Sequence, residues 1–279
     1  MRNLGRRPAG GTTRWTIRLI AALFLNGASA AWADVAALRA QAVEAWETRG
    51  TREGTQATID RLEALVRERP EDLEAQAWLA RAYYWLGEIF EENEDRQIDL
   101  FERGAAHGEA ALDRSADFVP ALYWTGVCHA ARADLSGLFQ KVRFILKAKR
   151  LEQKVIDRDP TYFHGGAHLF WGSFNVKGDG IAGGRFEDSY AEFERAIEIE
   201  PDYLRSSYLF ARWTLLGETR KSKEKRAADR ERAREMLLRV LRTPATALPD
   251  AVPENEVAQR LSRKLYEDTF GSVPTAVSP

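Results

Sequence analysis

Residues 189–204, Ser-Tyr-Ala-Glu-Phe-Glu-Arg-Ala-Ile-Glu-Ile-Glu-Pro-Asp-Tyr-Leu, decide the fold. Small residues Ser189 and Ala196 flank the ring of Phe193 at helical spacing, and Pro201 closes the run. Small side chains let one helix approach another, and the ring fills the groove between them. Proline ends the helix because it has no N–H to give. The same punctuation recurs upstream, in Arg67-Glu68-Arg69-Pro70 and Asp157-Arg158-Asp159-Pro160. After each Pro comes a short polar step and then a helical run, carrying Leu79-Ala80-Arg81, Leu169-Phe170-Trp171 and Phe210-Ala211-Arg212. Ala148, Glu152 and Val155 repeat the motif before Pro160 with one departure, a carboxylate in the aromatic position.

This is the grammar of tetratricopeptide-type hairpins, and it predicts an all-α, TPR-like α-α superhelix of about four helical hairpins plus capping helices. The helices are expected at 34–49 and 55–69, then in pairs at 71–88 with 95–114, 118–134 with 138–157, 161–177 with 185–199, and 202–217 with 222–242. A stretch broken by Pro244, Pro249 and Pro253 leads to a last helix at 254–268, whose Val257, Leu261 and Leu265 predict a cap. Pro160 and Pro201 are 41 residues apart, against about 34 for a plain repeat. The excess falls in 177–184, a loop in which Gly183 and Gly184 are read as structural.

Composition agrees with helix: Ala, Leu, Arg and Glu dominate, and 44% of residues are hydrophobic and 30% charged, as in ordinary folded domains. Residues 1–33 carry five Arg and no acid, followed by an apolar run from Ile17 to Leu25 and by Ala31-Trp32-Ala33. That order predicts a signal peptide over 1–33, cleaved before Asp34, and the run is about half of what a bilayer span needs. The domains expected are therefore this leader, a helical repeat domain over 34–270 and a disordered tail over 271–279. Without the leader, 36 basic residues face 42 acidic ones, an acidic balance that argues against nucleic acid as partner. The one cysteine, Cys128, lies in an apolar helix and permits no internal disulfide, and no cysteine follows the apolar run to accept a lipid. The protein is expected in the periplasm, without a lipid anchor.

Motifs for catalysis are absent, with no G-x-S-x-G, no H-E-x-x-H and no Cys–His pairing, so the chain is read as non-catalytic with no cofactor and no metal. His164 and His168 have metal-ligand spacing but lack a third ligand to join them. The Gly-rich loop 178–184 lacks the strand and the Gly-Lys-Ser/Thr ending of a phosphate loop. Residues 138–150 alternate apolar and basic side chains; a packed helix with a solvated basic face is preferred over a membrane-surface helix. Recognition surfaces are sought instead on the inner helices, where repeat phase turns Trp78, Trp85, Tyr123, Ser173, Lys177 and Trp213 toward the concave side. The competing reading of each ring is plain core.

Ala77-Trp78-Leu79-Ala80-Arg81-Ala82-Tyr83-Tyr84, Ala121-Leu122-Tyr123-Trp124-Thr125-Gly126 and His164-Gly165-Gly166-Ala167-His168-Leu169-Phe170-Trp171, then Gly183-Gly184 and Pro201-Asp202-Tyr203-Leu204, follow in that order behind an exported leader. This order resembles the TatT family, the tetratricopeptide T-component of TRAP transporters, over roughly residues 60–242 and most sharply over 160–204. The resemblance implies a periplasmic accessory component that pairs with the substrate-binding protein of a TRAP system and helps deliver a small organic or hydrophobic ligand. Many members are lipoproteins, and this chain departs there. The alternative function is a generic TPR scaffold in cell-envelope assembly. Self-association is left open, and membrane-surface binding is not favoured.

Overall fold

The computed structural model describes residues 35–179, 182–217 and 222–274. The leader expected at 1–33 and the last five residues of the expected tail lie outside them. Helix α1 covers 35–47, followed by α2 (Arg52–Glu68), α3 (Leu73–Trp85), α4 (Glu94–Arg114), α5 (Val119–Asp134) and α6 (Leu138–Arg158). Then come α7 (Tyr162–Lys177), α8 (Asp188–Ile199), α9 (Leu204–Leu209), α10 (Lys223–Arg242) and α11 (Val252–Phe270). Among the described residues the only β pairing is one isolated bridge, Asp179 to Gly184.

The helix ends follow from local chemistry. Asp72 caps α3 by accepting the Ala75 N–H at 3.0 Å, and Asn93 caps α4 through the Arg96 N–H at 3.0 Å. Helices α2, α6 and α8 end at Glu68, Arg158 and Ile199, two residues before Pro70, Pro160 and Pro201. The residue between each end and its Pro leaves helical geometry, with φ of −137°, −152° and −143° at Arg69, Asp159 and Glu200. Proline's ring disfavours the helical conformation at the position before it.

Successive helices pack as antiparallel hairpins, α3 on α4, α5 on α6 and α7 on α8. The grooves are filled as the repeat motif requires. Phe193 of α8 is fully buried against Gly172 of α7, where a Cβ would meet its ring at 2.8 Å. Gly126 of α5 meets Glu152 of α6 in the equivalent place. That carboxyl is fully buried without a hydrogen-bond partner among the described residues, and burial pushes its pKa well above the ordinary value.

Three elements depart from the expected map. The helix expected from 161 begins with a left-handed turn: Phe163, His164 and Gly165 have φ of 47°, 58° and 74°. Left-handed geometry costs a residue with a side chain about 1–2 kcal/mol. Ring packing offsets it, with Phe163 4.6 Å from Trp124 and His164 stacked 4.7 Å from Tyr203. Secondly, α3 and α9 each continue as a π-helix, Leu86–Phe90 and Phe210–Leu215. Thirdly, the last helix, expected as a cap on one end, touches both ends. It packs on α9 and α10, while its Val257 enters the core of α1–α3 among Trp46, Ile59 and Leu79. Glu254 completes the link. It accepts from Arg49 at 2.9 and 3.1 Å and from Arg81 at 3.0 Å. The superhelix is thereby closed on itself.

Candidate functional site

Closure turns the concave groove into a central cavity of about 520 Å³, within the range of small-molecule sites. Each inner helix contributes one stripe to its wall: Arg81, Tyr84, Trp85 and Glu88 from α3 and its π extension, and Tyr123, Trp124, Val127 and Asp134 from α5. Helix α7 brings Leu169, Phe170, Ser173 and Lys177, and α9 with its π extension brings Arg205, Tyr208, Arg212 and Trp213. Spacings of three and four residues keep each set on one helix face. Both π segments carry wall residues: Glu88 in the first, Arg212 and Trp213 in the second. A π turn is a common device for re-aiming side chains at a site.

One part of the wall is aromatic. Trp124 lies 4.7 Å from Tyr123 and 4.6 Å from Phe163, and Phe163 5.8 Å from Tyr203. The Arg81 guanidinium sits over this cluster, 4.6 Å from Phe163 and 5.2 Å from Trp124. Burial pushes up the phenol pKa values of Tyr84, Tyr123 and Tyr203, so each hydroxyl stays neutral and can donate.

The wall's charges do not cancel. It carries four cations, Arg81, Lys177, Arg205 and Arg212, against three carboxylates, Glu88, Asp134 and Glu254. Glu254 is already shared with Arg49. Burial pushes the Glu254 pKa up, but Arg81 and Arg49 outweigh that and hold it below the ordinary carboxylate value. Lys177 pairs with Asp134 at 2.5 Å, and Arg205 with Glu88 at 3.4 Å and the Tyr84 hydroxyl at 3.2 Å. Burial opposes the Arg205 charge, yet the Tyr84, Glu88 and Tyr203 oxygens raise its pKa. Arg212 pairs with no carboxylate among the described residues; it donates to the Tyr208 hydroxyl at 2.7 Å and lies 4.7 Å from the Trp213 ring. Lys177 approaches the same ring at 4.6 Å.

Of the residues expected on the concave face, Trp85, Tyr123, Ser173, Lys177 and Trp213 line this cavity. Trp85 and Tyr123 are also buried, and the Trp85 indole N–H is committed to the Arg49 carbonyl at 2.8 Å. Trp78 is not in the wall. It lies two turns before Trp85 on α3, where Trp46 of α1 covers it edge-on at 6.0 Å. The loop glycines have backbone reasons. Gly183 has φ of 79°, and a Cβ on Gly184 would lie 2.8 Å from the Gly178 backbone. His164 and His168 do not converge: His168 binds Glu192 at 2.7 Å, while His164 lies on the left-handed turn.

Sequence reasoning missed the arginines. The signal was present, because Arg81 and Arg205 stand one turn before Trp85 and Leu209 on the same stripes, but an arginine on a helix reads by default as part of a solvated face. Cys128 is buried with its thiol toward the Ala80 carbonyl at 3.5 Å, and burial pushes its pKa up. No helix among the described residues is long and apolar enough to cross a membrane. A family model described as the TRAP transporter T-component (TAtT) matches residues 61–270. No curated protein matches the chain.

Proposed function

Because this chain belongs to the TRAP transporter T-component family, we propose that it is a periplasmic accessory component that holds a small organic ligand in its central cavity and works with the substrate-binding protein of a TRAP system. The observation that carries this reading is the composition of the cavity wall: aromatic faces, neutral phenol donors and an arginine, Arg212, that pairs with no carboxylate among the described residues. Aromatic walls remove an apolar skeleton from water, and a guanidinium with a neighbouring phenol suits a carboxylate. These groups suit recognition of a bound anion. Exposure of Arg212 to solvent leaves it reachable by an incoming anion.

Calorimetric titration of the purified chain with a panel of small organic acids and their neutral amides tests the ligand. At least one acid is expected to bind better than its amide, and Arg212→Ala to weaken it about tenfold or more, the worth of a charge-assisted hydrogen bond. Retention of the TRAP substrate-binding protein on the immobilised chain tests the partner. Indifference to every acid together with no retention sinks the reading.

A further inference from the structure

A second cavity, of about 370 Å³, lies between the α5–α6 turn, the end of α7, Gly178 and Ala182. Its walls are largely apolar, with Val142, Ile145, Phe170 and Phe174 among them. Phe170, Ser173, Lys177 and Asp134 belong to both cavities, so the Lys177–Asp134 ion pair stands between them. The outer edge is formed by the first turns of α6. There the expectation of a packed helix fails: Leu138 is 64% exposed and Phe139 is 91% exposed, with Val142 and Leu146 also in water. Only the later part of α6 is buried, at Ala148, Glu152 and Val155.

Charge at this edge is one-sided. Residues 135–151 contain five cations and no carboxylate. Two of the five are committed, Lys147 to Glu109 at 3.1 Å and Lys149 to the rings of Trp171 and Phe174. Lys141 lines the cavity, is exposed and makes no ion pair among the described residues.

The geometry points to this side cavity as a binding site for an anionic amphiphile, its aliphatic chain between Ile145, Phe170 and Phe174 and its acid group at Lys141. Each methylene moved out of water into such a wall adds to affinity. The exposed lysine contributes little strength but selects the sign of the head group. The two cavities adjoin, but Lys141 and Ile145 line only this one and Arg212 only the central one, so separate variants test the two readings. The same chemistry is available from a free fatty acid or from an anionic bilayer lipid.

Dodecanoate below its micellar concentration, dodecyl maltoside, and vesicles of phosphatidylglycerol or phosphatidylcholine are the probes, with the chain, Ile145→Trp and Lys141→Glu. Saturable dodecanoate binding is expected, weakened about tenfold or more when the Trp side chain fills the cavity. Lys141→Glu is expected to weaken dodecanoate about three- to tenfold and leave dodecyl maltoside unchanged. Retention on phosphatidylglycerol but not phosphatidylcholine, lost in Ile145→Trp, assigns a bilayer lipid as the source; binding of free dodecanoate without retention assigns a free acid. Absence of both, or binding that Ile145→Trp leaves intact, overturns the site. If Ile145→Trp does not fold, Lys141→Glu decides, because loss of neither ligand or equal loss of both overturns it.

Discussion

Glu254→Ala should be among the most damaging single changes in this chain. Its side chain is 2% exposed and that of Arg49 is 4% exposed. Removing the carboxylate leaves the Arg49 guanidinium buried with only backbone carbonyls, those of Trp46 and Asp250, as acceptors. Breaking a buried pair from one side costs about 3–5 kcal/mol. For a domain of this size each kcal/mol lowers the melting temperature by roughly 2–4 °C, so a fall of about 6–20 °C is expected in the helical circular dichroism signal. The loss should begin at the closure, with faster amide exchange in 35–68 and 252–270. Arg49→Ala should cost about half as much, because Glu254 keeps Arg81 at 3.0 Å. Arg49→Met with Glu254→Leu should recover most of the loss, because replacing both charges removes the desolvation cost together with the attraction. A melting temperature for Glu254→Ala within about 2 °C of the parent would refute the claim that this contact holds the two ends together.

Glu152 sets a pH dependence. Its folded pKa is raised, so above the ordinary carboxyl range the unfolded chain releases a proton that the folded one keeps. Stability then falls with rising pH, by up to about 1.4 kcal/mol per unit; Glu152→Gln should remove this slope, and urea midpoints at pH 5 and pH 7.5 that shift in parallel for both proteins would contradict it. Gly184→Ala, whose Cβ would meet backbone at 2.8 Å, should cost about 1–3 kcal/mol by chemical denaturation. Gly165→Ala combines a φ of 74° with contacts of 3.1 and 3.2 Å to α8; a loss of at least about 1 kcal/mol is expected, and no loss would mean the turn relaxes freely.

Much of the fold was legible because its signals are local. Pro70, Pro160 and Pro201 mark three helix ends, and Phe193 with its small neighbours marks how α8 meets α7. The wall of the cavity was partly legible for the same reason: repeat phase placed Trp85, Tyr123, Ser173, Lys177 and Trp213 on one side. What could not be read depends on distant partners. Trp78 carries the right phase, but its fate is decided by Trp46, on the far side of α2 in the chain. The left-handed turn at Phe163 has a glycine as its only local mark, and its stability comes from Trp124 and Tyr203. The role of Glu254 is least visible of all, because a glutamate in the first turn of a helix looks like an ordinary dipole partner. Its bonds to Arg49 span 205 positions of sequence.

The helix that joins both ends also limits how such a protein can grow. An open stack of hairpins accepts another copy at any joint, since each unit touches only its neighbours. Here an inserted hairpin would widen the circuit, and Glu254 could no longer reach Arg49 and Arg81 while Val257 stayed in the first core. Duplication, the usual route by which repeat arrays enlarge a binding surface, is therefore obstructed. A change of cargo size must come from substitutions at the wall, one side chain at a time.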